Sequence, residues 1–449
     1  MGVLAAAVGS AVGLGNIWKF TYIAGKYGGA AFILVYLICV AVIGIPVMLV
    51  EFSLGRRAGT NAAGVFKIKK TKFPWQFGGY LAVATSFIIL SFYAIIAGWL
   101  FSYIGRSLTG HLFAPGHLAY GEYFETVSSS TAEPLIGTVI VLMITATVCL
   151  SGVKDGIEKY TKILMPILFA LLAILMVRSL SLPGSWAGME FLFKPDFSKI
   201  TSKAILEALG HAFYSLSLGM GIILTYGSYI DKTQNLGKLT VQIAIADTVI
   251  ALMSGIVIFP AVFAFNMAPN AGPGLIFITL PAVFEQMQLG HIVSVLFFLL
   301  IAIAAITSTI SLMEVSIAFV METFKVDRKK ATLGVTLGLF VLAIPSVLSF
   351  SVWKHIQIGG RGFFDLFDFI ASNIFLPVGG IVVSIYAGWV IGMKNIKEEV
   401  TNYNTVPFRG EKFYTFIIKY IAPIAIFVIF LFSTGVLTKL VFHIFKVQW

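Results

Sequence analysis

Apolar runs of about twenty residues recur from one end of this sequence to the other. That recurrence limits what the chain can fold into more than any single motif does. In lipid every backbone amide and carbonyl must find a partner inside the protein, so such runs cross as helices. Eleven runs are legible, at 3–24, 30–55, 76–108, 134–151, 157–181, 205–231, 238–266, 288–324, 330–349, 363–393 and 413–445. They predict an all-α polytopic membrane protein. Only 11% of the residues are charged, where a soluble domain carries about a quarter. No short cleavable leader is visible, because the first run is followed at once by a second, AAFILVYLICVAVIGIPVMLV, and reads as a span.

The formal charge of +11 does not point to nucleic acid, because the basic residues sit in connections between spans. Arg56, Arg57, Lys67, Lys69, Lys70 and Lys72 follow the second run. Lys325, Arg328, Lys329 and Lys330 follow the eighth, and Lys394, Lys397, Arg409 and Lys412 follow the tenth. Connections after the first, third and seventh runs are poor in Lys and Arg. The positive-inside rule then puts the N-terminus and the basic loops in the cytoplasm of a plasma-membrane protein. Cys39 and Cys149 lie in apolar runs far apart and read as inert small hydrophobes. Three outer segments are long, 109–133, 182–204 and 350–362. The first holds His111, His117, Glu122 and Glu125 without metal-ligand spacing and reads as a solvated loop.

Two runs contain residues ill suited to a spanning helix. SAVGLGNIWKF, 10–20, places Ser10, Gly13, Gly15 and Asn16 inside the first. FYSLSLGMG, 213–221, interrupts the sixth with serines and a G-x-G pair. Close packing through small residues would explain either one alone. The symmetric placement favours broken helices, which are tolerated at mid-membrane where they line a cavity. Interrupted spans at corresponding positions of two halves point to a transporter's binding site. Five spans separate the two, so two five-span halves have opposite orientation. The expected division is 1–181 and 205–393 as inverted repeats, joined by 182–204 and followed by a loop and the eleventh span in 394–449.

At these residues the chain resembles the neurotransmitter:sodium symporter family, with the LeuT-type fold, over nearly its whole length. GSAVGLGNIWKF is similar to the family's first-span signature and GIPVMLVEFSLGR to its second. SFYAIIAGW, SLSLGMG, AAITSTISLME and FFDLFDFIASN fit spans three, six, eight and ten. Each is weak alone, and the six in order are specific. Eleven spans resemble many bacterial members. The resemblance implies sodium-coupled import of an amino acid by alternating access, with two sodium ions as the coupling cargo. A non-transporting sensor or a channel-like protein on the same fold stands as the alternative. An enzyme is not indicated, since no nucleophile–base set, HExxH or phosphate loop is present.

The resemblance further implies individual roles. One sodium site takes carbonyls of Gly9, Val12 and Ala304 with hydroxyls of Thr307 and Ser308. The last three lie one helical turn apart on one face. The other takes the Ala11 carbonyl, Asn16, Ser215, Asp247 and the substrate carboxylate. That carboxylate meets the half-helix amides near Leu14 and Gly15, where the dipole favours an anion, and the hydroxyl of Tyr93. Gly13 leaves room where amine-transporting relatives carry an acid. Ile89, Tyr214, Met220 and Leu312, with Ser10, Ser217 and Ser308 nearby, form the rest of the pocket. No charge partner for an ionic side chain is present, so the expected substrate is a hydrophobic or aromatic amino acid.

Lys19 and Asp368 match an outer ion-pair gate, with His211 in the same layer as a packed polar residue. Tyr229 and Glu322 match inner latch residues, whose Arg and Trp partners precede the first-span signature in relatives; this sequence begins at Met1 without them. Glu51 is an ionisable residue inside span two, and by resemblance it braces the unwound part of span six. GIEKYTKILMP places Gly156 and Pro166 around Lys159 and Lys162. It reads either as a segment that unwinds to admit water or as a helix start with a proline kink. Asp247 stands where chloride-dependent relatives have Asn, and Ala251 stands where they have Ser. A fixed carboxylate there implies transport without chloride.

Overall fold

The computed structural model describes residues 2–69, 71–113, 119–267 and 274–437. Lys70, His117 and the expected end of the eleventh span at 445 lie outside them. Among the described residues nine helices are long and apolar enough to cross a membrane, from Ala30–Ala58 to Glu411–Ser433. The first and sixth spans complete the expected eleven as pairs of half-helices. No strand forms among the described residues beyond one bridge between Ile358 and Arg361.

The two longest straight spans, Gln76–Leu108 and Gly290–Phe324, are the most deeply buried of the nine. They form the wall against which the broken helices lie. Val153–Leu180 and Glu411–Ser433 are the least buried and present most of their surface outward, as lipid-facing helices do.

The first span runs as Gly2–Ala11, loses helical geometry at Val12 and Gly13, and resumes through a π-turn, Gly15–Lys19, into Phe20–Lys26. The sixth runs as Ser202–Ser215 and resumes as Ile222–Ser228. Between its halves Ser217, Gly219 and Gly221 adopt φ of 56°, 74° and 82°. Glycine relieves the left-handed strain at two of these positions. A Cβ on Gly219 would also lie 2.5 Å from the Leu376 carbonyl oxygen of span ten.

Both interruptions fall where sequence places them. The fifth span differs from one of its two readings. Gly152, at φ 85°, turns the chain, and Val153–Glu158 winds as a π-turn into the α-helix Lys159–Leu180. The stretch from Gly156 to Pro166 is therefore helical, with Pro166 inside it. Span ten gives way at Gly392, φ 88°, to a short helix, Met393–Val400.

Candidate functional site

Unwinding two spans strands backbone groups in an apolar interior, where each costs several kcal/mol unless paired. Side chains pair them. Gly13 N–H donates to Asn16 Oδ1 at 3.0 Å, and Leu14 N–H to the Tyr93 hydroxyl at 3.2 Å. Gly219 N–H donates to Glu51 Oε1 at 2.8 Å, so the buried Glu51 does hold the unwound part of span six. The Ser86 hydroxyl donates to the Met220 carbonyl, and the Ser217 hydroxyl to the Ser10 carbonyl at 3.3 Å. Ser86 had no mark in the sequence, since a serine in a long apolar helix commonly bonds its own helix.

The residues expected around a substrate share one cleft. Ser10, Ala11, Gly13, Leu14 and Gly15 come from span one, and Ile89 and Tyr93 from span three. Tyr214, Ser215, Ser217 and Met220 come from span six, and Ser308 and Leu312 from span eight. Ile222 joins them. It resumes the helix after the break and carried no signal beyond being apolar. The cleft is small, about 30 Å³. A cavity of about 400 Å³ lies against it and shares Leu14, Gly15, Tyr93 and Tyr214.

Two clusters of oxygen atoms flank the cleft. In the first, Asp247 is fully buried. Its Oδ1 accepts from Asn16 Nδ2 at 2.6 Å and from the Ser215 hydroxyl at 2.7 Å. Its Oδ2 accepts from the Tyr36 hydroxyl at 2.9 Å. Tyr36 was not foreseen; it lies in a run that read as plain span. In the second, the Thr307 hydroxyl lies 3.0 Å from the Ala304 carbonyl and 3.4 Å from that of Val12. The Ser308 hydroxyl is 3.3 Å from the Ala304 carbonyl. A Cβ on Gly9 would be 3.5 Å from Thr307 Cβ, which puts Gly9 beside the same group. All five residues of that set therefore converge. Oxygen ligands of this kind suit a hard cation.

Lys19 and Asp368 both line the larger cavity, but no ion pair within 4 Å joins them among the described residues. Lys19 Nζ stands 4.6 Å over the Tyr214 ring, and Asp368 accepts from the Ser372 hydroxyl at 2.7 Å. His211 packs between the rings of Phe20 and Tyr36, at 5.9 and 5.4 Å. On the opposite face Tyr229 and Glu322 do not meet. The Tyr229 hydroxyl donates to Glu314 Oε1 at 2.9 Å, and Arg328 pairs with the same fully buried carboxylate. Glu322 accepts from Asn61 N–H at 3.0 Å, from Asn61 Nδ2 at 2.6 Å and from the Thr60 hydroxyl. Glu314 sits within AAITSTISLME, yet its pairing with Arg328 needed the loop between spans eight and nine to be folded. The free cysteines Cys39 and Cys149 are buried.

Two helices broken at mid-membrane around an oxygen-lined cleft, walled by two long straight spans, define a membrane transporter of the LeuT type. The chain belongs to the sodium:neurotransmitter symporter family, whose model matches residues 1–117 and 124–447. It is 37% identical over 441 residues to a sodium-dependent transporter, YhdH, of Bacillus subtilis, covering 98% of this chain and 97% of that one. A sodium-dependent transporter of Methanocaldococcus jannaschii is 30% identical over 457 residues, covering 98% and 90%. Among solved structures, MhsT in complex with L-phenylalanine matches with a TM-score of 0.87 and 42% identity, over 96% of this chain and 98% of that one. The protein is thus a multi-pass membrane transporter of a sodium-dependent family.

Proposed function

We propose that this protein imports hydrophobic or aromatic amino acids across the plasma membrane with two sodium ions, by alternating access and without chloride, its N-terminus in the cytoplasm. The observation that carries this is the cleft itself. The non-helical backbone of span one and the Tyr93 hydroxyl stand at one end, Ile89, Met220, Ile222 and Leu312 surround the rest, and no charged side chain lines it. A zwitterion with an apolar side chain satisfies both ends. An ionic side chain would be left unpaired, at a cost of several kcal/mol. The phenylalanine in MhsT's title agrees with this class.

The geometry also suggests how sodium and substrate are coupled. Asn16 now gives Nδ2 to Asp247 and takes the Gly13 N–H on Oδ1. A cation between Ala11, Asn16, Ser215 and Asp247 needs oxygen facing it, so the amide turns over and Gly13 N–H is released. That donor then joins Leu14 N–H and Tyr93 in holding the carboxylate, which also ligates the cation. The second ion, at Gly9, Val12, Ala304, Thr307 and Ser308, ties the inner half of span one to span eight. The broken spans one and six move against the wall of spans three and eight about this fixed site.

Sodium-gradient-driven uptake of labelled phenylalanine into proteoliposomes tests the proposal. Leucine, tyrosine and tryptophan are expected to compete, while glutamate, lysine and simple amines are not. Exchange of chloride for gluconate leaves the rate unchanged. Uptake that ignores the sodium gradient, or that stops without chloride, overturns it.

A further inference from the structure

Several basic side chains of the inner face have acidic partners: Arg56 with Glu399, Arg57 with Glu398, Arg328 with Glu314 and Lys397 with Glu411. Others do not, and three of these cluster towards one lateral corner. Among the described residues Lys69, Lys72 and Lys419 have no carboxylate within 4 Å. Lys419 is the most informative of them. It lies two turns, about 12 Å of rise, inside the span Glu411–Ser433. Its ammonium stands 4.9 Å over the face of Trp389, whose indole N–H donates to the Lys419 carbonyl at 3.4 Å. A lysine inside an apolar span without an acid partner marks a functional site.

Other groups converge on the same place. Lys69 Nζ donates to the carbonyl of Val390, the residue after Trp389, at 2.8 Å. Both ammonium groups therefore flank one end of span ten. Trp389 is 55% exposed, and Tyr420, its ring 5.7 Å from that of Trp389, is 45% exposed. Phe416 continues this face, 5.6 Å from Tyr420. Cations at the membrane boundary with exposed aromatic rings on the lipid side match a diacyl anion, whose headgroup needs charge and whose chains need apolar contact. An acidic protein partner would not use rings facing the bilayer.

We propose that this corner binds an anionic phospholipid of the inner leaflet, its phosphate between Lys69 and Lys419 and its acyl chains along Trp389, Tyr420 and Phe416. The bound headgroup staples the connection between spans two and three to spans ten and eleven.

Native mass spectrometry of the purified full chain, titrated with phosphatidylglycerol and phosphatidylcholine, tests this. Wild type is expected to prefer phosphatidylglycerol about tenfold, and Lys69→Gln with Lys419→Gln to reduce that preference to about twofold or less. The outer-face variant Lys354→Gln keeps the wild-type preference. Lys419→Met, which retains the stem over Trp389 and removes the charge, weakens the preference even if the double variant does not fold. Excess inorganic phosphate leaves phosphatidylglycerol binding unchanged. A wild type without preference, a folded double variant or a Lys419→Met protein that keeps it in full, or displacement by phosphate overturns the proposal.

Discussion

A methyl group on Gly13 would meet the Ser308 hydroxyl at 2.5 Å and the Tyr93 hydroxyl at 3.3 Å. Ser308 can rotate away, but its oxygen then leaves the Thr307–Ala304 cluster. The collision is thereby passed to the second proposed sodium site. Gly15 is different: a Cβ there meets the Tyr214 ring at 3.6 Å, an ordinary contact. Gly13→Ala is therefore expected to raise the sodium concentration needed for half-maximal phenylalanine binding about tenfold, the lower part of the 1–3 kcal/mol range for overpacking. Gly15→Ala shifts it little. Equal effects in a scintillation binding assay would remove Gly13 from the site. Asp247 gives a second test at this scale. A carboxylate at a helix centre costs about 2.5–3.5 kcal/mol, and its described partners are neutral donors. In the proposed mechanism it supplies negative charge beside the sodium ions, in a medium where charges interact far more strongly than in water. Asp247→Asn is expected to abolish most sodium-driven uptake, and adding Ala251→Ser restores it in chloride but not in gluconate. Full uptake by the single variant shows that its charge is dispensable.

At the scale of elements, the short helix Met393–Val400 is held by a buried charge and not by its length. Arg56, at the C-terminal end of span two, gives Nε to Glu399 Oε2 at 3.0 Å, Nη1 to the Gln234 carbonyl at 2.8 Å and Nη2 to Asn402 Oδ1 at 2.9 Å. Both charged side chains are within 1% of full burial. Removing one partner strands the other, which costs about 3–5 kcal/mol. The neighbouring pair Arg57–Glu398 is 25% and 36% exposed and is worth about 0–1 kcal/mol. Glu399→Ala is expected to lower the melting temperature in detergent by many degrees, while Glu398→Ala leaves it nearly unchanged; similar melting curves would show that the clamp carries no stability. Little of this element was legible. The run of 413–445 and the others announce themselves because lipid admits one solution for a long apolar stretch. The breaks at Gly13 and Gly219 announce themselves because lipid forbids them elsewhere. Arg56, Glu399 and Arg328 read as loop charges, since nothing local separates a solvated lysine-rich loop from a buried ion pair, and Glu314 read only as the end of a span-eight motif. The wound state of 156–166 was equally open, because glycine and proline permit unwinding without requiring it.

For the whole molecule, access to the cleft is asymmetric. On one side the cavity of about 400 Å³ reaches down to Tyr93 and Tyr214, with Lys19 and Asp368 apart. On the other, Tyr229, Glu314 and Arg328 form one crosslink, and Glu322 with Thr60 and Asn61 forms a second. These join spans two, six and eight at their ends away from that cavity. The proposed alternating access would require the opposite arrangement in turn: Lys19 leaving the Tyr214 face for Asp368 as Tyr229 and Glu322 release their partners. The two resident cysteines are buried, so single introduced cysteines report cleanly. Ile278→Cys in the outer cavity is expected to react quickly with a membrane-impermeant maleimide in sodium alone, and Ser228→Cys near the inner crosslinks slowly. Adding sodium with phenylalanine should slow the first about fivefold and speed the second, as a shift of roughly 1 kcal/mol between two states demands. Rates that respond together, both opening at once, would mean a continuous pore and a channel-like protein. An outer rate that falls while the inner one never rises would mean a sensor that binds and does not carry. Reciprocal change is the result that only a carrier gives, because one gate must close before the other can open without letting the sodium gradient run down.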